Sequence, residues 1–108
     1  MKPKAVSVYG VFLTKNGQVV LVKDASSLLW GFPGGMVEEG ETHAVALQRE
    51  MTEETGLSVQ GKTRLLIVQT DEFRDRFFYH VDQIGGVLSD EGNDTDIIQA
   101  RYFDVTSL

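Results

Sequence analysis

One stretch constrains the fold of this chain more than any other. Residues 34–41, Gly-Gly-Met-Val-Glu-Glu-Gly-Glu, are too glycine-rich for a helix, whereas Thr42 to Thr55 contains neither Gly nor Pro and is rich in helix formers. Thr42 is a fitting N-cap and Gly56 a fitting C-terminal stop, so a helix of about three to four turns is expected between them. On that helix Glu50, Glu53 and Glu54 stand at i, i+3 and i+4, which puts three carboxylates on one face, while Leu47 and Met51, four apart, mark the buried side. Like charges at this spacing weaken an isolated helix by a few tenths of a kcal/mol per pair, and the only base within the helix is Arg49. A hard divalent cation would compensate them, since Mg²⁺ and Mn²⁺ prefer oxygen ligands. Taken alone, three glutamates on a helix are more simply a solvated acidic face.

The location of charge argues for the cation. The chain carries a net charge of −6, and residues 35–57 hold six acids (Glu38, Glu39, Glu41, Glu50, Glu53, Glu54) against one base, Arg49, which accounts for −5 of it. Such a local field repels a nucleic-acid backbone, so no polynucleotide partner is expected. The absence of cysteine excludes disulfides, thiolate zinc sites and thiol nucleophiles. No apolar run approaches a membrane span and no secretory signal is present, so a cytoplasmic protein without membrane association is expected. At 108 residues the chain reads as one domain, 1–108.

The remainder reads as strands. Residues 5–13 are apolar and β-branched at nearly every position, as in a strand covered on both faces. Asn16-Gly17 is a hairpin signal that would pair this strand with residues 18–23. After a loop at 24–29, Trp30 and Phe32 are expected to pack under the glycine turn. Further strands are expected at 57–69, with a break near Gly61-Lys62, at 73–84 and at 97–105, with an acidic loop containing Asp90, Glu91, Asp94 and Asp96 before the last. The fold class is therefore α/β, a mixed sheet with the loop and helix on one face.

Gly35, five residues, Glu41, seven residues, then Arg49-Glu50-Met51-x-Glu53-Glu54-x-Gly56-Leu57 resembles the signature of the Nudix hydrolases at every fixed position, and the preceding Trp30-Gly31-Phe32-Pro33-Gly34 is similar to the segment that leads into it. The resemblance, which is to MutT-like members, implies hydrolysis of a pyrophosphate bond in a nucleoside diphosphate linked to another moiety, with Mg²⁺ or Mn²⁺ held by the signature helix. It implies Glu50, Glu53, Glu54 and the Gly34 carbonyl as metal ligands, Glu91 as a further one, and Glu53 or Glu50 as general base, with Asp90 or Glu91 as bases outside the signature. Arg49 is expected to hold a neighbouring carboxylate in its ligating rotamer, with Glu41 as a candidate partner. His43 and His80 have no triad or metal spacing and are assigned no chemistry.

Substrate choice lies outside the signature. Arg74, Arg76 and Lys4 are candidate phosphate contacts, and Tyr9, Phe73, Phe78 and Tyr79 candidate stacking partners for a base. The proline that marks nucleotide-sugar hydrolases is absent, since no proline follows Pro33. A nucleoside triphosphate or small nucleotide is the substrate expected by elimination; the alternative is a nucleotide-binding regulatory module without turnover. Family members continue into a second long helix, which the resemblance leads one to miss here after Leu108, so a truncation, a homodimer mate or another partner covering the bare sheet face is also expected.

Overall fold

The computed structural model describes residues 4–89 and 96–108. Strands β1 (Ala5–Val11), β2 (Gln18–Asp24), β3 (Trp30–Gly31) and β4 (Gly34–Met36) precede helix α1 (His43–Thr55), and β5 (Ser58–Thr70), β6 (Arg74–Gly85), β7 (Ile97–Asp104) and a 3₁₀ turn (Val105–Ser107) follow it. They form a four-stranded sheet of order β4-β1-β6-β5 and a three-stranded sheet of order β3-β2-β7. β1 runs parallel to β6 and antiparallel to β4, so the first sheet is mixed as expected. The apolar character of β1 follows from this central place: Val8 is fully buried against the helix, and Tyr9 packs on the other face.

The expected hairpin does not form. Its turn is present, with Gly17 at φ 76° and the Thr14 N–H donating to the Gln18 carbonyl at 2.8 Å. β1 and β2 nevertheless belong to different sheets, and the hairpin is reduced to an isolated bridge between Leu13, beyond the end of β1, and Val19. β1 takes β4 and β6 as neighbours, β2 takes β3 and β7, and these distant pairings outweigh the local turn signal. The expected break at Gly61-Lys62 is a bulge inside one continuous strand, with Gly61 at φ 68° and a register shift between Gln60 and Thr63.

The helix begins and ends where its caps dictate. The Thr42 hydroxyl accepts from the Val45 N–H at 3.2 Å, worth about 1 kcal/mol, and Gly56, left-handed at φ 78°, donates its N–H to Thr52. Leu47 and Met51 are buried with Ala46 against Val8 and Val81, each large side chain contributing roughly 1.5–3 kcal/mol by removal from water. Gly10 on β1 lets the helix come this close, since a Cβ there would lie 2.9 Å from the Met51 sulfur. A second cluster of Val22, Ile97 and Ala100 holds the smaller sheet. Trp30 and Phe32 pack edge-on against Phe103 and Phe78 respectively. Among the described residues no helix is long and apolar enough to cross a membrane. Asp90, Glu91 and Asp94 lie outside the described residues.

Candidate active site

β4 is a strand of glycines with a reason. A Cβ on Gly34 would stand 2.0 Å from the Val8 carbonyl oxygen, and one on Gly35 would stand 2.7 Å from the Glu50 carboxyl carbon. Glycine at both positions therefore lets β4 press against β1 on one side while the helix lays two carboxylates on the other. Glu50 and Glu54, four residues apart, are 9% and 5% exposed, and the Gly34 N–H donates to Glu54 Oε1 at 2.9 Å. Burial pushes the Glu50 carboxyl above its ordinary pKa, against the pull of the Arg49 guanidinium beside it. Glu53 is different: its side chain is 47% exposed and faces outward. The three glutamates thus divide into two that face the glycine strand and one that faces water.

Arg49 organises the acids around it. Its Nε and Nη2 form a bidentate pair with Glu41 at 2.7 and 2.9 Å, Nη1 donates to Glu50 at 2.7 Å and Glu53 at 3.4 Å, and Nη2 also reaches the Met36 carbonyl at 3.1 Å. Glu38, mostly exposed, sits 3.8 Å from Nη1. Hydrogen bonds from Arg49 and from the Glu38 backbone hold the Glu41 carboxyl down at about 2, and the same pairing raises the Arg49 pKa further. One guanidinium cannot neutralise this many acids, so the site keeps a net negative charge.

The donors are all carboxylate and carbonyl oxygens, the chemistry that Mg²⁺ or Mn²⁺ requires. The Gly35 cradle, which a Cβ would fill, leaves the Glu50 carboxylate held against bare backbone. Among the described residues no three acids or histidines converge closely enough to enclose an ion by themselves. This donor set fits an ion of the Mg²⁺ type, which takes one or two carboxylates and completes its shell with water and substrate phosphates.

Gly34, Gly35, Glu50 and Glu54 line one side of an open cleft of about 940 Å³. The loop after β2 lines it too, where Asp24 Oδ1 accepts from the Ser26 hydroxyl at 2.7 Å and from the Ser27 and Ser26 N–H groups at 2.9 and 2.8 Å, bonds that lower the Asp24 pKa to about 2. Arg74 enters the same cleft, with no ion-pair partner among the described residues. Arg76 is tied to Asp71 at 3.1 Å, and Lys4 to Asp75 at 3.1 Å; neither lines the cleft. Tyr79 lies on the opposite face of β6, where its hydroxyl and His43 Nδ1 are 2.7 Å apart. Phe73 is 74% exposed. Of the substrate contacts expected from the sequence, Arg74 and Tyr9 line this cleft, and Phe78 is stacked on Tyr9 beside it.

A second, apolar slot of about 470 Å³ opens beside the cleft and shares Tyr9, Gly31 and Phe32 with it. Tyr9 and Phe78 are stacked at 5.0 Å, and Phe32 stands edge-on to Phe78 at 6.2 Å. Ile67 and Gln69 of β5 complete its lining. Phe32 as a wall of the slot, and Gln69, were not anticipated. The period-2 rule applied to 73–84 would have separated Arg74, Arg76 and Phe78 from Tyr79, but the β5–β6 register that brings Gln69 alongside passes through two bulges and is not written in either strand.

Comparison with known proteins bears on this arrangement. The model of the NUDIX domain family matches residues 1–108. The chain is 34% identical over 105 residues to the 8-oxo-dGDP phosphatase NUDT18 of Homo sapiens, covering 94% of this chain and 32% of that protein. It is 34% identical over 112 residues to the ADP-ribose pyrophosphatase of Methanocaldococcus jannaschii, covering 96% of this chain and 64% of that protein. The chain thus spans about a third and under two thirds of these relatives. Its fold is similar to that of a MutT NUDIX hydrolase from Burkholderia pseudomallei, with a TM-score of 0.84 at 23% identity over 99% of this chain and 88% of the other.

Proposed function

The chain belongs to the NUDIX domain family, and from that premise we propose that it hydrolyses a pyrophosphate bond in a purine nucleoside diphosphate linked to another group. The observation that carries this reading is the shared wall of Tyr9, Gly31 and Phe32, which sets the acidic cleft and the aromatic slot side by side. A base stacks on the Tyr9–Phe78 platform, and Arg74, whose guanidinium has no ion-pair partner among the described residues, meets the phosphates on their way toward Glu50 and Glu54. The two relatives support the purine: 8-oxo-dGDP and ADP-ribose, in their names, both contain a purine nucleoside diphosphate.

Glu50 and Glu54, with the Gly34 carbonyl, would hold Mg²⁺ or Mn²⁺, water and substrate phosphates completing the shell. When bound, that ion supplies neutralisation of the phosphate oxygens and activation of water. The protein does the rest. Arg49 fixes the Glu50 carboxylate, and Gly35 gives it room. Glu53, more weakly engaged by Arg49 and open to water, takes the proton from the attacking water. Water attacks one phosphorus, the bridging P–O bond breaks, and the departing phosphate leaves through the open cleft.

The test is a panel of purine and pyrimidine nucleotides incubated with the folded chain and Mg²⁺ or Mn²⁺, reading phosphate directly and after added pyrophosphatase. Turnover of purine nucleotides is expected. No turnover of any nucleotide by folded protein refutes the reading and leaves a nucleotide-binding module.

A further inference from the structure

Gln69 is out of place in its surroundings. It ends the lining of a slot whose other members are three aromatic rings, an isoleucine and a glycine, and its carboxamide has no hydrogen-bond partner among the described residues. Its orientation is set by register: Gln69 pairs with Arg76 and Ile67 with Phe78, so both β5 side chains share the face that carries the Tyr9–Phe78 platform. Arg76, its neighbour across the strand, is occupied by Asp71. Gln69 therefore presents an amide donor and an acceptor to the slot, on the face that carries the platform.

We propose that Gln69 determines base specificity by reading a purine edge that carries a donor beside an acceptor. This rests on the assignment of the slot to the base. A carboxamide pairs in bidentate fashion with adenine, whose N6 amino group donates and whose N7 accepts. Guanine presents two acceptors there, N7 and O6, and leaves the Gln69 oxygen unpaired. A guanine oxidised at C8 carries a proton on N7, so its edge becomes donor beside acceptor and fits the carboxamide again. The shared chemistry is that edge, and adenine and 8-oxoguanine are its two sources.

The experiment compares wild type with Gln69→Leu, which keeps the apolar slot and removes both polar groups. kcat/KM is measured for dATP, 8-oxo-dGTP and dGTP, and affinity for the matching monophosphates is measured by equilibrium titration. Wild type should favour dATP or 8-oxo-dGTP over dGTP by about tenfold, toward the lower end of what a bidentate pair discriminates because Gln69 lies at an exposed rim. Gln69→Leu should erase the ratio through KM and monophosphate affinity while kcat is kept. The dATP and 8-oxo-dGTP arms identify which source the site takes. A wild type without preference, or a preference unchanged in Gln69→Leu, overturns the role of Gln69 while hydrolysis stands. A chain that hydrolyses nothing yet loses its monophosphate preference in Gln69→Leu removes the hydrolase reading and keeps this one.

Discussion

Two adjacent glycines on β4 should fail in opposite ways when each is given a methyl group. In Gly34→Ala the new Cβ would lie 2.0 Å from the Val8 carbonyl oxygen and 2.7 Å from the Tyr9 Cα, both backbone atoms of the paired strand. Ordinary contact begins at 3.4 Å, so β4 must move away from β1 by more than an ångström. Overpacking of this kind costs roughly 1–3 kcal/mol and a broken ladder bond about 1 more, only partly offset by the lower entropy of unfolded alanine. The expected fall in Tm is about 10–20 °C for a domain of this size. In Gly35→Ala the clash is with the Glu50 carboxyl, 2.7 Å away at the end of a flexible side chain, which can retreat by about 0.7 Å. Stability should change by about 1 kcal/mol or less, but a misplacement approaching an ångström at a reacting centre is worth up to ~100-fold in rate. Thermal unfolding followed by circular dichroism and kcat on the best nucleotide separate the two outcomes. A Gly34→Ala protein as stable as wild type would refute the β1–β4 register, and a fully active Gly35→Ala would remove Glu50 from the site.

Further outcomes follow from the same geometry. Glu53→Gln should lower kcat by ~10²–10⁴-fold with an unchanged Tm, as loss of a proton acceptor does, and normal turnover would rule Glu53 out. Arg49→Lys loses the fork that holds Glu41 and Glu50 together and should lower activity by ~10–100-fold; unchanged kcat/KM would show that the fork does not position Glu50. Mg²⁺ at about 100 times its Kd should stabilise the protein by about 2.7 kcal/mol and chelation should abolish turnover, so a Tm and a rate both indifferent to a chelator would refute the metal site. The folded pKa of Glu41, about 2 against an ordinary 4.5, means stability present above pH 4.5 and lost as pH falls toward 2; in Glu41→Gln the Tm should decline less steeply over that window, and parallel curves would contradict the pairing.

What was legible in the sequence was whatever local chemistry decides. Thr42 and Gly56 announce the ends of α1 because a cap is a contact between neighbours, and Leu47 and Met51 announce its buried face because the helical period is fixed. The three glutamates were legible as a group, but their division was not: Glu50 and Glu54 turn inward because β4, in a separate element, offers a free N–H at Gly34 and an empty place at Gly35. Asn16-Gly17 misled for the same reason. The turn is local and present, whereas the pairing it suggested was decided by the parallel contact of β1 with β6, more than sixty residues away. The slot is the extreme case, since Tyr9, Phe32, Ile67, Gln69 and Phe78 come from separate parts of the chain and meet only through strand register.

The opposed shifts of Glu41 and Glu50 follow from how one cation is shared. Arg49 gives Glu41 two parallel bonds, and the Glu38 N–H adds a third, so the charged form of Glu41 is strongly favoured. Glu50 receives one bond at 2.7 Å, is more deeply buried, and has Glu53 nearby as a like charge, so burial outweighs the bond and its charged form is disfavoured. The sign of its contribution is therefore opposite to that of Glu41: the native state binds the Glu50 proton more tightly than the unfolded chain does, so this contribution is present at low pH and is lost as pH rises through the raised value. At neutral pH the fold thus carries a carboxylate that costs it stability, beside a second buried carboxylate, Glu54, on the wall of an open cleft. A divalent cation bound there would relieve the charge that Arg49 leaves uncompensated, which is why metal affinity, stability and turnover should rise and fall together in this protein.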